Sequence, residues 1–359
     1  MVTCPSTLLP ELSVVVPILD EGRNLLSLFA TLERQEGVAF ELILCDGGSQ
    51  DGSREFLKDF LETLPFACRL LVSAPGRAIQ LNMGAAHSRA DMLLFLHVDS
   101  SFENRYALAR GIASLKSAHR QAGHHNIAGH FPLHFIRRSA VRSWSFYYYA
   151  WKTRIHRAYC VHGDQGFMLS RDFFERVGPF DESLPFLEDV RLAEKIQKFG
   201  QWLLLPEVLG TSARRFETEG LYSRQALNAI VLACEDAGYG DWLVALPGIY
   251  RQQSTCGRLR LGPFLGEVSR RIRLLQWKER LILWRKVGAF VWNNAWQLAL
   301  MLDTARHYRK GVPIGQGRLV ILGWFDRFAP HIWPPAGYWL GATAAWIWYR
   351  WRLFVGSWS

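Results

Sequence analysis

The sequence has few of the residue patterns that bind zinc or nucleotide cofactors or that direct secretion. Its six cysteines lie far apart and form no Cys-x-x-Cys pair, which argues against zinc and a disulfide framework and fits a reducing compartment. No glycine-rich segment has dinucleotide-motif spacing or continues into the Gly-Lys-Ser/Thr of a P-loop. Since no Lys or Arg precedes Arg23 and no continuous apolar run precedes Leu12, no secretory signal is predicted.

Acidic residues are scarce in the last third of the chain. Residues 255–359 carry 16 Lys and Arg against four Asp and Glu, a net charge of +12, and 11 of the 15 tryptophans. Residues 1–254 have a net charge of −2. The change falls in a polar stretch, residues 252–257, and predicts two domains, 1–254 and 255–359.

Three apolar runs in the first hundred residues each lead to acidic residues, namely Asp20 with Glu21, Asp46, and Asp99. Such runs are typical of buried parallel strands, and the helical periodicity between them predicts βαβ units and an α/β fold. Because parallel strands end at one edge of a sheet, these carboxylates should lie together and suit hydroxyl groups or a metal that carries phosphate. The alternative is that each Asp only caps a turn. One further strand is predicted over residues 127–135.

Several segments, in order, resemble family 2 glycosyltransferases, which are nucleotide-sugar enzymes of the GT-A fold: VVVPILDE, CDGGSQDGS, GRAIQLNMGA, LLFLHVDS, GDQG, LEDV and TSARRF. The resemblance fades near Tyr250. GRAIQLNMGA, HVD and GDQG are similar to one subgroup, named for its genomic association with radical-SAM and selenoprotein-domain genes. The resemblance to family 2 glycosyltransferases implies a GT-A, Rossmann-like catalytic domain with a mostly parallel sheet, followed by a mainly helical region.

The resemblance also implies a donor site for a UDP- or GDP-type sugar. Asp46 would bind the nucleobase, and the donor-binding residues would be Pro17, Asp20, Glu21, Asp46, Arg77, Asn82, Asp99 and Arg215. Asp99 would hold Mg²⁺ or Mn²⁺ against the diphosphate. His97 occupies the first position of the family's DxD motif and is either a second metal ligand, a hydrogen-bond partner of the sugar, or simply the end of the strand.

Glu188 and Asp189 open a predicted helix that ends at Phe199. Acidic residues there complement the helix dipole, but a carboxylate in the same place can also act as general base for an acceptor hydroxyl. The family places its base in such an ED pair, which implies Asp189. Asp164, in a glycine-flanked loop, is expected to contact the donor sugar or the acceptor.

The basic, Trp-rich region predicts attachment to an anionic membrane surface rather than a spanning helix. Its amphipathic stretch 270–286 and the uncharged stretches 287–302 and 332–349 carry this interpretation. A helical appendage packed on the catalytic domain is the alternative, and nucleic acid is not expected as a partner. The predicted location is cytoplasmic, at the inner face of the membrane, with a lipid-linked or membrane-proximal acceptor.

The leading hypothesis is a metal-dependent, inverting glycosyltransferase. A nucleotidyltransferase also needs acidic residues around a metal, but the segment 16–20 lacks the basic glycine-rich loop that such enzymes usually carry. A non-catalytic membrane scaffold that only binds nucleotide is the third hypothesis. The presence of Asp46, Asp99 and Asp189 together weighs against it.

Overall fold

The computed structural model describes residues 9–184, 186–253, 257–331 and 334–356. The predicted boundary at residue 254, together with Cys4 and Cys256, lies outside these ranges. The strands are β1 (Leu12–Ile18), β2 (Phe40–Asp46), β3 (Ala67–Val72), β4 (Met92–Phe95), β5 (Ser101–Phe102), β6 (Ile127–His130), β7 (Leu133–Ile136), β8 (Phe167–Ser170), β9 (Gln201–Leu204) and β10 (Leu209–Ser212).

The helices alternate with strands β1 to β4, as the predicted βαβ units require. They are α1 (Gly22–Glu33), α2 (Ser53–Phe60), α3 (Arg77–His87), α4 (Ala107–Ala122), α5 (Trp144–Lys152), α6 (Arg171–Val177), α7 (Glu188–Phe199), α8 (Arg214–Glu219), α9 (Leu221–Asp236), α10 (Leu246–Gln252), α11 (Gly262–Leu274), α12 (Trp277–Asn293), α13 (Trp296–Arg309), α14 (Val320–Phe328) and α15 (Pro334–Gly356).

Seven strands form the central sheet in the order β3-β2-β1-β4-β8-β6-β9. The first four are parallel to one another, β8 is antiparallel to both β4 and β6, and β9 is parallel to β6. This confirms the α/β class with a mostly parallel sheet. Pairing of Ile18 with Asp46 and of Val15 with Phe95 brings the carboxyl ends of β1, β2 and β4 to one edge.

Both faces of this sheet are covered by apolar side chains. Val14, Val16 and Leu42 pack into one buried cluster, while Val15 and Ile43 pack into another on the opposite face. The alternation follows the two-residue period of a strand. Runs that are apolar at nearly every position therefore reflect burial on both faces, as predicted for parallel strands.

The single strand predicted over residues 127–135 is wrong, because the structure has two short strands there. β6 belongs to the central sheet, whereas β7 pairs with β10 in a three-stranded sheet of order β5-β10-β7. Pro132 lies between them and has no N–H to donate to a ladder. Its carbonyl instead accepts a hydrogen bond from Leu209, at the start of β10.

The chain divides into two compact units. The first contains residues 9–136 and 149–212, and the second contains 137–148 with 213–356 over the described ranges. The second unit is helical, which confirms the predicted helical C-terminal region. Among the described residues, no helix is both long and apolar enough to cross a membrane.

Two of the stretches noted in the sequence are each divided between two helices. The basic stretch 270–286 is not one helix, because α11 ends at Leu274 and α12 begins at Trp277. Gln276 caps α12 through its side chain and a capping box with Glu279, which explains why the helix restarts there. The stretch 287–302 is likewise divided between α12 and α13.

Candidate active site

Gln80 ties together the carboxyl ends of β1 and β2. This side chain of α3 is buried, and its Nε2 donates to the carbonyl oxygens of Ile18, at 2.7 Å, and Cys45, at 2.6 Å. A Cβ on Gly47 would lie 3.0 Å from the carboxamide, so the residue after β2 has little room for a side chain. The geometry of this edge is therefore set by a single buried amide.

Asp46 ends β2 in a turn that its own carboxylate organises. The side chain is completely buried, and it accepts hydrogen bonds from the backbone N–H groups of Gly48 and Ser49. Arg54 Nη2 lies 2.6 Å from Oδ2. Burial works to raise the pKa of Asp46, but the bonds from Ser49 and Arg54 outweigh it and hold that pKa below its usual value. In this structure Asp46 has the capping role that was the alternative to nucleobase binding.

The loop after β1 is linked to the loop after β2. Asp20 has a left-handed backbone, with φ of 53°, and its Oδ1 accepts a bond of 2.7 Å from the N–H of Gln50. Gly22 N–H donates to Asp51 Oδ2 at 3.1 Å. Glu21 accepts a hydrogen bond from the Asn24 side chain. Asp20 and Asp51 thus link the two loops, whereas the bond of Glu21 stays within the first turn of α1.

A second group of polar residues surrounds Arg77, the first residue of α3. Its Nε lies 3.2 Å from Oε1 of Glu188, which is 3% exposed, and its Nη2 contacts Nε2 of His97. Asp99 lies in the turn after β4. Arg77 therefore joins the end of a central strand to the start of α7.

Asp189 is fixed by backbone donors on both carboxylate oxygens. Oδ2 accepts from Gly163 N–H at 2.7 Å, and Oδ1 accepts from the N–H of Val190 at 2.9 Å. A Cβ on Gly163 would lie 3.1 Å from Oδ2 and 3.2 Å from Nη2 of Arg77. Leu187, just before α7, has a left-handed φ of 70°. A glycine and an unusual backbone conformation thus support the position of the ED pair.

The carboxyl groups of this cluster differ in their affinity for a proton. Burial, reinforced by the charges of Asp189 and Asp99, raises the pKa of Asp164 to about 7, and its Oδ1 is buried without a hydrogen-bond partner. Burial also raises the pKa of Glu188, against the opposing charge of Arg77. Burial acts in the same direction on Asp189, but Arg77 and His162 prevail and lower its pKa. Of Asp164, Glu188 and Asp189, the last is thus the most readily ionised.

The two residues predicted to bind the metal ion, Asp99 and His97, differ in how well they suit that role. Within the described part of the chain, no group of three or more His, Cys, Asp or Glu residues is placed to hold a metal ion. Mg²⁺ bound with a nucleotide normally takes only one or two carboxylates and completes its shell with phosphates and waters. The negative charges of Asp99 and Asp164 repel each other, and a nearby cation would relieve that repulsion. Asp99 therefore fits the predicted role of metal ligand. His97 directs Nε2 to Arg77 instead.

Two of the predicted donor residues lie in different settings. The carboxamide of Asn82 bonds both backbone groups of Phe180, each at 2.9 Å, and also reaches Glu182. It thereby anchors the segment that leads to α7. Arg215 is exposed in α8 and belongs to the second unit. Contact of either residue with a donor stays a prediction.

Sequence reasoning missed Gln80, Arg54 and His162. Gln80 is the one polar member of the buried face of α3, which otherwise contains Ala78 and Leu81, and that break in the apolar pattern was the available signal. His162 donates from Nε2 to the carbonyl of Tyr159 and faces Asp189. Nothing in the sequence marks Arg54 as the partner of Asp46.

A comparison with known protein families identifies a domain in the first half of the chain. Residues 13–178 match the sequence profile described as Glycosyl transferase family 2. The chain carries a family 2 glycosyltransferase domain. It is accordingly an enzyme of the glycosyltransferase class, and the predicted GT-A type of fold is confirmed. A search of curated proteins finds no match.

Solved glycosyltransferases are similar at low identity. The mannosyltransferase PcManGT from Pyrobaculum calidifontis, in complex with GDP-Man and Mn²⁺, is 16% identical, with a TM-score of 0.48, over 95% of this chain and 88% of its own. S. aureus TarS 1-349 in complex with UDP is 14% identical, with a TM-score of 0.44, over 84% and 92%. At these values no residue role is transferred to the domain.

Proposed function

We propose that the domain transfers a sugar from a UDP- or GDP-type nucleotide sugar to an acceptor hydroxyl, with inversion at the anomeric carbon. The observation that carries the proposal is the position of Asp189, ionised and held by two backbone N–H groups, beside Arg77 and Asp164. Arg77 and Asp164 lie in the segment that matches the family 2 profile, and with Asp189, which follows it, they combine a base with cationic and polar groups suited to a diphosphate.

Asp189 is the proposed general base. An acceptor hydroxyl is a poor nucleophile, and a carboxylate in hydrogen-bond reach can take its proton as the oxygen attacks the anomeric carbon. The bond to the diphosphate breaks on the opposite side, so a single displacement inverts the configuration. Gly163 and Val190 fix the orientation of the carboxylate, which reduces the reorganisation needed during the reaction.

Arg77 is proposed to face the negative charge that develops on the leaving diphosphate. Guanidinium binds phosphate oxygens through two parallel donors, and its present partners, Glu188 and His97, hold it at the amino end of α3. Mg²⁺ or Mn²⁺, held by Asp99, would supply Lewis-acid stabilisation of the same diphosphate. Asp164, with its unpartnered oxygen, is proposed to contact a hydroxyl of the donor sugar or of the acceptor.

The remaining site assignments follow the family pattern. Pro17, Asp20, Glu21 and Asp46 are proposed to line the nucleotide through the two linked loops. Because Asp46 is engaged by Arg54, contact with a nucleobase requires a free lone pair or a shift of Arg54. The location proposed is peripheral, on the inner face of a membrane with anionic lipid, next to a lipid-linked or membrane-proximal acceptor.

Product analysis tests the reaction. The protein is incubated with UDP- and GDP-sugars, with Mn²⁺ or with EDTA, and the released phosphorus species are separated. Release of a nucleoside diphosphate and a product of inverted configuration is expected, and NMR reads the anomeric coupling. Release of pyrophosphate in a parallel incubation with a nucleoside triphosphate and a sugar 1-phosphate would establish nucleotidyl transfer instead. Binding without turnover of any donor would favour the scaffold hypothesis, and full activity in EDTA would refute the metal.

A further inference from the structure

The last helix, α15, packs on α12 through an unusually close contact between backbones. A Cβ on Gly341 would lie 2.4 Å from the carbonyl oxygen of Gly288, and one on Gly337 would lie 2.3 Å from the ring of Trp292. A Cβ on Gly288 would come within 2.0 Å of the Tyr338 carbonyl oxygen. Gly337, Gly341 and Ala342 of α15 therefore lie on the side that faces α12.

The opposite side of α15 carries large apolar side chains that are exposed. We define this outward face by Trp339, Leu340, Trp346, Ile347, Trp351 and Phe354, each of which is about half exposed or more. Their spacing follows the turns of the helix, and together they extend over roughly 22 Å at 1.5 Å per residue. A helix that is held along one side and apolar along the other can insert only sideways into a bilayer interface.

The charges around this face are positive. α15 contains no Asp or Glu, and its two charged residues are Arg350 and Arg352. The Arg350 guanidinium lies 5.9 Å from the ring centroid of Trp346, and that of Arg352 lies 5.6 Å from the centroid of Trp351. Tryptophan and arginine side by side suit the boundary between acyl chains and anionic headgroups.

Three of the four acidic residues of the same region have partners in helices other than α15. Glu267 bonds Arg270 and Arg271, Glu279 caps α12, and Asp303 is buried with a bond to the N–H of Leu322. The fourth, Asp326, lies in α14. The net positive charge of residues 255–359 favours an anionic partner, and the apolar face favours one with an apolar interior.

We propose that the outward face of α15 inserts into the interfacial layer of an anionic lipid bilayer, with the helix axis parallel to the surface. Arg350, which is exposed, contacts lipid phosphates, while the tryptophan rings and Ile347 enter the upper acyl region. The inference rests on the membrane attachment proposed above and identifies the surface that produces it. Insertion is independent of the chemistry at Asp189.

The test uses the full-length protein and vesicles of phosphatidylcholine, with or without phosphatidylglycerol. Ile347→Ser with Phe354→Ser removes two anchors that are 57% and 65% exposed. The matched control, Leu26→Ser with Phe199→Ser, removes two residues of the first unit that are 53% and 56% exposed. Co-sedimentation should show binding to anionic vesicles that falls on the order of tenfold to a hundredfold in the first variant and is unchanged in the control.

Three further measurements make the outcome decisive. Circular dichroism and thermal melting must show that the variant of α15 is folded as the wild type is. Equal vesicle binding by wild type and that variant would overturn the proposal, and so would a wild-type dimer that the variant converts to monomer without any lipid binding. Turnover of a soluble nucleotide sugar, measured without vesicles, should be the same in both variants. If neither the wild type nor the variants turn over a nucleotide sugar, the proposed reaction is refuted. Vesicle binding then still tests whether the outward face of α15 binds the bilayer.

Discussion

Replacing Asp164 by Asn should stabilise the protein in a pH-dependent way. Burial and the neighbouring charges of Asp189 and Asp99 raise the pKa of Asp164 from 3.8 to about 7 in the folded protein. Below about pH 4 both states carry the proton and the carboxyl has no net effect. Between that pH and 7 the unfolded chain loses its proton while the folded protein keeps it, so stability falls as pH rises.

The size of this effect follows from the shift. A difference of about three units corresponds to roughly 4 kcal/mol at 1.36 kcal/mol per unit, and partial contact with water makes this an upper limit. Part of the destabilisation by the Asp164 carboxyl is already present at about pH 5. Between about pH 5 and about pH 8, the free energy of unfolding of Asp164→Asn relative to the wild type should therefore rise by roughly 2–3 kcal/mol. For a protein of this size, that is several degrees in Tm.

Thermal melting of both proteins in EDTA, without nucleotide, measures the effect. Asp181→Asn is the control, because the Ser183 hydroxyl and N–H lower the pKa of Asp181, and it is ionised in both states over this range. Its change in Tm should therefore be the same at both pH values. An Asp164→Asn variant whose change in Tm is also independent of pH would show that the carboxyl does not titrate near 7. The cluster would then be less tightly packed than the structure has it.

Three other substitutions test the site. Asp189→Asn keeps the shape of the side chain but removes the base, so transfer should fall roughly 10²–10⁴-fold while donor binding survives. Near-normal transfer by this variant, together with an inactive Asp164→Asn, would identify Asp164 as the base. Asp99→Ala should abolish metal-dependent donor turnover in a protein that remains folded, and full activity would exclude it as the metal ligand. Gln80→Met removes the side-chain donor to the carbonyls of Ile18 and Cys45, at a cost of about 1–3 kcal/mol in the free energy of unfolding. The same variant should raise the Kd for nucleotide in a thermal-shift titration, and an unchanged Tm and Kd would contradict the role of the clamp.

The sheet could be predicted because burial on both faces leaves a direct trace in the sequence. Val14, Val15 and Val16 are all buried, and only a parallel strand with helices on both sides requires that. The break between β6 and β7 left a weaker trace, since Pro132 is compatible with an edge strand as well as with a change of sheet. Its effect depends on β10, which comes about 75 residues later and pairs with β7.

The candidate site could be predicted by residue type but not by partner. Asp46 and Asp99 both follow strands that pair with β1, and the sequence gives no reason to separate them. The structure pairs Asp46 with Arg54, whereas Asp99 acts on Asp164, a residue of a distant loop. Such partners depend on where long side chains end in space, and periodicity carries no information about that.

The difference in ionisation between Asp189 and Asp164 follows from the position of Arg77. Arg77 reaches Glu188 directly and lowers the proton affinity of Asp189, but it only partly offsets the burial of Asp164. Two groups of the same chemical type therefore differ in ionisation at neutral pH, which is the condition under which one accepts a proton and the other donates one. Replacing Arg77 should therefore disturb both groups at once, and its effect on transfer should exceed that of losing a phosphate contact alone.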